Sequence, residues 1–160
     1  MEAEEVKKRL HDALHEVVSN DGYLLENNLG ERCIAARLMI YLQKAFPEYA
    51  VDAEYNRDGN IPKKLGLPEE CANRWDKEGR AFVVPDVIVH RRGPDGPNLL
   101  VLELKKTTNP EGSDCDRMRV HAFRAQLGYC YGALILCETR KRQKPAMTLV
   151  DWIDDRNATG

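Results

Sequence analysis

Residues 83–106 read VVPDVIVHRRGPDGPNLLVLELKK. Two short apolar runs flank the cluster Gly93-Pro94-Asp95-Gly96-Pro97. Runs rich in Val, Ile and Leu, broken by Gly and Pro, predict two adjacent strands of one sheet. Side chains two apart on a strand share a face. In the second strand that groups Leu99, Val101, Glu103 and Lys105 on one face and Leu100, Leu102 and Leu104 on the other. Both faces begin apolar, which predicts a central strand covered on both sides. A carboxylate and an ammonium then stand side by side where the buried strand ends. In the first strand Val84, Asp86, Ile88 and His90 share a face, so Asp86 is an acid inside an apolar run. A buried charge is costly unless something pairs with it. Three such charges on neighbouring strands point to a metal ion or an ionic substrate among them.

The surrounding 160 residues suit one domain spanning 1–160, long enough for a real core. Hydrophobic residues make up 42% and charged residues 31%, which argues against disorder and against a fibre. A net charge of -2 does not mark a general polyanion binder, so any nucleic-acid contact must come from local basic clusters. The first residues, MEAEEVKKRL, are too charged for a secretory signal, and no apolar run is long enough to span a bilayer. The expectation is a soluble, cytoplasmic protein with no membrane partner. The five cysteines, Cys33, Cys71, Cys115, Cys130 and Cys137, form no CxxC pair. They are expected to be reduced and mostly buried.

Upstream of the two strands, Val6, Leu10, Leu14 and Val17 recur at helical spacing over residues 3–19. His11 and His15 share a face of that helix, and a surface pair is the favoured reading over a metal role. Asn20-Asp21-Gly22 is expected to break it. A second helix is predicted from about Gly30 to Phe46, ending before Pro47, with the stripe Ile34, Leu38, Tyr41, Leu42 and Ala45. Glu31 lies three residues before Ile34 and continues that inward stripe, or else simply favours the positive end of the helix dipole. Residues 50–57, AVDAEYNR, alternate as a half-buried strand, with Glu54 either solvated or a further acid near the site.

Residues 57–81 form a polar, irregular connection that carries Arg57, Lys63, Lys64, Arg74 and Trp75 among several acids. It reads either as a recognition loop or as a solvated insertion. After the two strands, Ser113 and Asp116 resemble a capping box that opens a third helix, ending at Gly128. Its expected inward stripe is Met118, Ala122 and Ala125. Residues 131–137, YGALILC, read as another buried strand, and Ala146 to Ile153 as a last strand at an edge. Between them Arg140, Lys141, Arg142 and Lys144 form the densest basic patch, either a solvated turn or a contact for a phosphate backbone. The order is helix, helix, three meandering strands, helix, strand, strand. That predicts an α/β mixed sheet with helices on both sides.

Pro85-Asp86, a gap of sixteen residues, and then Glu103-Leu104-Lys105, on adjacent predicted strands after a helix that bears Glu31, resemble the PD-(D/E)XK nuclease superfamily. The element order over about residues 30–137 is similar to that family's αβββαβ core, here with an extra N-terminal helix. Glu54-Tyr55-Asn56-Arg57 resembles the first strand of small stand-alone bacterial members. The resemblance implies a restriction-endonuclease-like fold and a Mg2+-dependent nuclease, with Mn2+ able to substitute, acting on DNA foremost or on RNA. It implies Asp86 and Glu103 as metal-binding carboxylates, the Leu104 carbonyl and Glu31 as further ligands, and Lys105 beside the scissile phosphate. Asp86, Glu103 and Lys105 are then the catalytic set. Gln126, near Tyr129, is a near match to a supporting glutamine of some members, and Glu54 is another candidate for that outer layer. Arg57, Arg74, Arg140, Lys141, Arg142 and Lys144 are the candidate nucleic-acid contacts. Small nucleases of this fold often dimerise to cut two strands, so a homodimer is consistent with the family. Two alternatives stay open: a weakly active or inactive module that binds nucleic acid or protein, and a structural ion cluster at the sheet end.

Overall fold

The computed structural model describes residues 1–53, 67–68, 71, 74–75, 81–82, 84–93, 96–109 and 114–154. Its elements are α1 (Ala3–Glu26), α2 (Glu31–Ala45), β1 (Ala50–Ala53), β2 (Arg74–Trp75), β3 (Ala81–Phe82), β4 (Val87–His90), β5 (Asn98–Lys106), α3 (Asp114–Leu127), β6 (Tyr131–Glu138) and β7 (Ala146–Ile153). Five strands make one mixed sheet in the order β1-β4-β5-β6-β7, and β2 pairs with β3 separately. Within the larger sheet β5 and β6 run parallel while the other pairs are antiparallel. Parallel neighbours need a long crossover, and α3 supplies it. The predicted α/β architecture, the central position of β5 and the edge position of β7 all hold.

Two apolar cores lie on opposite faces of the sheet. Val87, Val89, Leu100, Leu102, Leu104, Ala133 and Ile135 pack with α1 and α2 in the larger one. Ile88 and Val101 pack with Val120 and Phe123 of α3 in the smaller one. The alternation read from the sequence therefore sorts β4 and β5 correctly, with one exception. Leu99 packs in the larger core rather than beside Val101. The register slips between Val89 and His90, where Val89 pairs with Leu100 but His90 with Asn98, so Leu99 is an extra, unpaired residue. Such a bulge resets the face of the residue it inserts.

The helices show two further departures. Residues 20–22 kink α1 rather than end it: Asp21 alone leaves helical geometry, at φ -126° and ψ 20°, and the helix resumes to Glu26. The kink is held by tertiary partners, since Asp21 Oδ2 accepts the Tyr41 hydroxyl at 2.7 Å and Oδ1 pairs with Arg37 at 3.0 Å. The inward stripe of α3 is Asp116, Val120, Ala122 and Phe123, not Met118 and Ala125, which are exposed. Close approach of α3 to β6 sets that rotation. A Cβ on Gly132 would lie 2.5 Å from Val120 Cγ1, so glycine is what lets the helix settle there. Gly128, at φ +68°, ends α3 as expected, and its N–H donates to the Arg124 carbonyl.

Cys71 and Cys115 are joined as a disulfide, which corrects the expectation of reduced thiols throughout. Sequence spacing could not reveal it, because the two are 44 residues apart and meet only when the long connection returns to the first turn of α3. Stable disulfides belong to oxidising surroundings, so the bond lends nothing to the cytoplasmic expectation. Of the other cysteines, Cys137 is buried, while Cys33 and Cys130 are exposed. Among the described residues no helix is long and apolar enough to cross a membrane.

Candidate active site

The β4–β5 register brings the two motif carboxylates together. Ile88 pairs with Val101 and Val87 with Leu102. One further step along the same register sets Asp86 opposite Glu103, on the face that carries Ile88 and Val101. Pro85 and Asp86 precede the first ladder residue of β4, so the Asp86 side chain takes over where the backbone ladder stops. Its Oδ2 accepts the Leu104 N–H at 2.7 Å. It is thus the Leu104 amide that binds Asp86; the expected carbonyl ligand is a separate group of the same residue.

Glu103, Lys105 and Asp116 are each nearly inaccessible, at 3%, 6% and 5% exposure. Glu103 Oε2 accepts from both Nε and Nη2 of Arg119, each at 3.3 Å. The same Arg119 pairs with Asp116 Oδ1, and Asp116 Oδ2 lies 3.3 Å from Lys105 Nζ. Four charged side chains from β5 and α3 therefore form one buried chain: Glu103, Arg119, Asp116, Lys105. Within it Glu103 Oε1 and Asp116 Oδ2 are both buried with no hydrogen-bond partner, Asp116 Oδ2 having only the ion pair to Lys105.

Glu31 arrives from the first residue of α2. It is half-buried, and its Oε1 accepts the Lys106 N–H at 3.3 Å. Lys106 fixes this junction from the other side, with Nζ donating to the Leu29 carbonyl at 3.1 Å and the Asn28 carbonyl at 3.4 Å. Asn28 makes the turn into α2 at φ 53°, a left-handed conformation that asparagine tolerates better than most residues. Its Oδ1 accepts the Thr108 hydroxyl at 2.8 Å. The start of α2 is in this way tied to the end of β5, and Glu31 is placed near Asp86.

The electrostatics follow from burial and like charge. Burial pushes the Asp86 carboxyl up to about 6, the Leu104 N–H opposes it, and Glu31 raises it further. Burial and then the Asp86 charge raise the Glu103 carboxyl well above its ordinary range, with Arg119 pulling the other way. Glu31 and Asp86 also help burial push the nearby Cys137 thiol up to about 12. Asp86 thus feels Glu31, and Glu103 in turn feels Asp86. Among the described residues, however, no group of three or more His, Cys, Asp or Glu side chains is arranged to hold a metal ion. Beside Asp86 lies a cavity of about 190 Å³, lined also by Arg32, Ala35, Ala36 and Ala53.

The other expected residues divide. Gln126 is exposed, seven residues beyond Arg119 and so about 10 Å further along the helix axis. It is not part of this cluster, which corrects its expected supporting place. Arg140, Lys141, Arg142 and Lys144 are exposed on the loop after β6. Cys137 and Lys106 are register partners, so the loop lies at the same end of the sheet as Glu103 and Lys105. Arg140 is held by Glu138, at 2.6 Å, and pulls that carboxyl down to about 2. Arg142, Lys144 and Glu26 share a surface cleft there. Glu54, Arg57, Lys63 and Lys64 lie outside the described residues, as does the side chain of Arg74.

Sequence reasoning missed Asp116 and Arg119 as members of the site. The sequence places Asp116 in a capping box and gives Arg119 no part in the site. Their i, i+3 spacing, with Val120 and Phe123 continuing the same face, was the available signal. No protein-family model, curated protein or solved structure matches the chain.

Proposed function

We propose that this chain is a metal-dependent nuclease on a restriction-endonuclease-like fold, hydrolysing phosphodiester bonds of nucleic acid, DNA foremost. The observation that carries the reading is the facing pair Asp86 and Glu103, with a buried Glu103 oxygen that has no partner. The charge balance supports it. Glu31, Asp86, Glu103 and Asp116 stand against Lys105 and Arg119, with Arg32 beside Asp86, so with every group ionised the set keeps a net negative charge. The donors are hard oxygens, the complement that Mg2+ or Mn2+ takes together with water and a substrate phosphate. Asp86 and Glu103 would hold the ion, with Glu31 and the Leu104 carbonyl as further ligands. When bound, the ion supplies Lewis-acid polarisation of the phosphodiester.

The chain's own groups do the rest. The Leu104 N–H fixes the Asp86 carboxylate. Lys105 presents an ammonium on the same face as Glu103, suited to steadying negative charge that develops on a phosphate. The cavity beside Asp86 gives access to that carboxylate. The exposed basic loop at the same sheet end offers Lys141, Arg142 and Lys144 to flanking phosphates. The test is cleavage of single- and double-stranded DNA and RNA with Mg2+ or Mn2+, comparing wild type with Asp86→Ala and Lys105→Ala. Activity that both variants retain in full refutes the assignment.

One observation favours a second reading. Lys105 is already paired with Asp116, and Glu103 with Arg119. A set satisfied in this way suits an inactive module that binds nucleic acid or protein. Such a module shows no metal-dependent cleavage. If it binds nucleic acid, affinity falls steeply as salt rises.

A further inference from the structure

We infer that Arg119 is a positioning residue of this site: it clamps one oxygen of Glu103 so that the other is presented to a divalent cation. The inference rests on the metal-binding reading above and extends it to a helix outside the strand motif. The two oxygens of Glu103 are treated differently. Oε2 accepts from both Nε and Nη2 of the guanidinium, so two donors anchor this one oxygen. Oε1 is buried and unbonded. Anchoring one oxygen narrows the range over which the other can swing, which is how outer-layer partners orient metal ligands.

Arg119 is itself held. Asp116, one helical turn earlier, binds the same guanidinium through Oδ1. Both residues sit on a stretch of α3 pinned from two sides. Gly132 admits Val120 against β6, and the Cys71–Cys115 disulfide ties the residue next to Asp116 to the long connection. The clamp therefore belongs to a fixed element and not to a surface side chain.

The sign of one measurement separates this role from a plain counter-charge. Removing a cation beside a cation site should, by Coulomb attraction alone, tighten binding of a divalent ion. Removing a positioning residue should weaken it. Mn2+ binding to the intact chain is measured by calorimetry for wild type, Arg119→Met, Arg119→Gln and Arg119→Lys, with metal-free thermal melts to verify folding. Arg119→Met is expected to bind Mn2+ about 10- to 100-fold more weakly. Arg119→Lys should recover part of the loss. Should Arg119→Met fail to fold, Arg119→Gln, also neutral and closer in shape, carries the same comparison of sign. Unchanged or tighter binding in either neutral variant overturns the inference alone. Absence of Mn2+ binding by wild type itself overturns the metal-binding reading and the inference with it.

Discussion

Replacing Asp86 with asparagine should stabilise the metal-free protein at neutral pH while abolishing the proposed cleavage. Burial, aided by Glu31 and Asp116, holds the Asp86 carboxyl at about 6 against an ordinary 3.8. At about 1.4 kcal/mol per pH unit, its ionised form costs the fold about 3 kcal/mol at pH 7.5. The sign follows from the direction of the shift. The folded carboxyl binds its proton more tightly than the unfolded one, so the cost is absent below about pH 4. It grows as pH rises towards 6 and is fully present above that. Asparagine removes the charge and keeps an oxygen for the Leu104 N–H, giving up about 1 kcal/mol of charge-assisted bonding. The net expectation is a gain of about 2 kcal/mol at pH 7.5 and a loss of about 1 kcal/mol near pH 4. For 160 residues each kcal/mol moves the melting temperature by about 3 °C, so Asp86→Asn should melt about 6 °C higher at pH 7.5. Thermal melts of both proteins in chelator at the two pH values provide the assay. A variant that melts below wild type by the same margin at both would refute the reasoning, because the Asp86 charge would then carry no pH-dependent cost.

Lys105→Met should lower cleavage by about a hundredfold or more with the fold retained, since Asp116 keeps Arg119 as partner; a cleavage assay beside a thermal melt reads both. Reducing the Cys71–Cys115 bond, whose residues are 44 apart, should cost up to about 4 kcal/mol in chemical denaturation by the loop-entropy relation. Native-state thiol labelling should modify Cys33 and Cys130 promptly and reach Cys137 only on unfolding, because that thiol is buried and pushed up to about 12. Gly132→Ala should destabilise by about 1–3 kcal/mol in the same denaturation assay, because its Cβ would meet Val120 Cγ1 at 2.5 Å.

Strand alternation made the heart of the molecule legible. With Asp86 and Glu103 on the faces of Ile88 and Val101, an antiparallel pairing had only to be in register for the carboxylates to meet. Helix periodicity likewise placed Val6, Leu10, Leu14 and Val17, all of which are buried. What escaped was set by tertiary contact. The Leu99 bulge depends on how two strands slip past each other, not on either one's pattern. The kink at Asp21 survives inside one helix because Tyr41 and Arg37 hold it. The face that α3 turns to the sheet is chosen by the fit of Val120 over Gly132, and that choice carries Asp116 and Arg119 into the site. Charged residues on a helix read as solvated by default, so two buried ones pass unnoticed until the helix is oriented.

The balance of charge bears on whether this cluster is a site or only a structural ion network. Buried ion networks are rarely better for stability than apolar packing of the same volume. One that serves structure alone is therefore expected at least to neutralise itself. The inner chain of Glu103, Arg119, Asp116 and Lys105 does so, with two charges of each sign. Adding Asp86 and Glu31 does not: both are carboxylates, and their effect is to raise Asp86 and Glu103 against ionisation. Glu103 Oε1 has no donor, and the cavity that reaches Asp86 is lined also by Arg32. A chain balanced inside, with two further carboxylates and one arginine at its edge, keeps a net negative charge that a cation arriving from outside would offset. It follows that Mn2+ should raise the melting temperature of wild type more at pH 7.5 than at pH 5, since only above about pH 6 is Asp86 ionised in the metal-free fold. No shift at either pH would return the cluster to a structural role, and equal shifts would remove the Asp86 ionisation from the account.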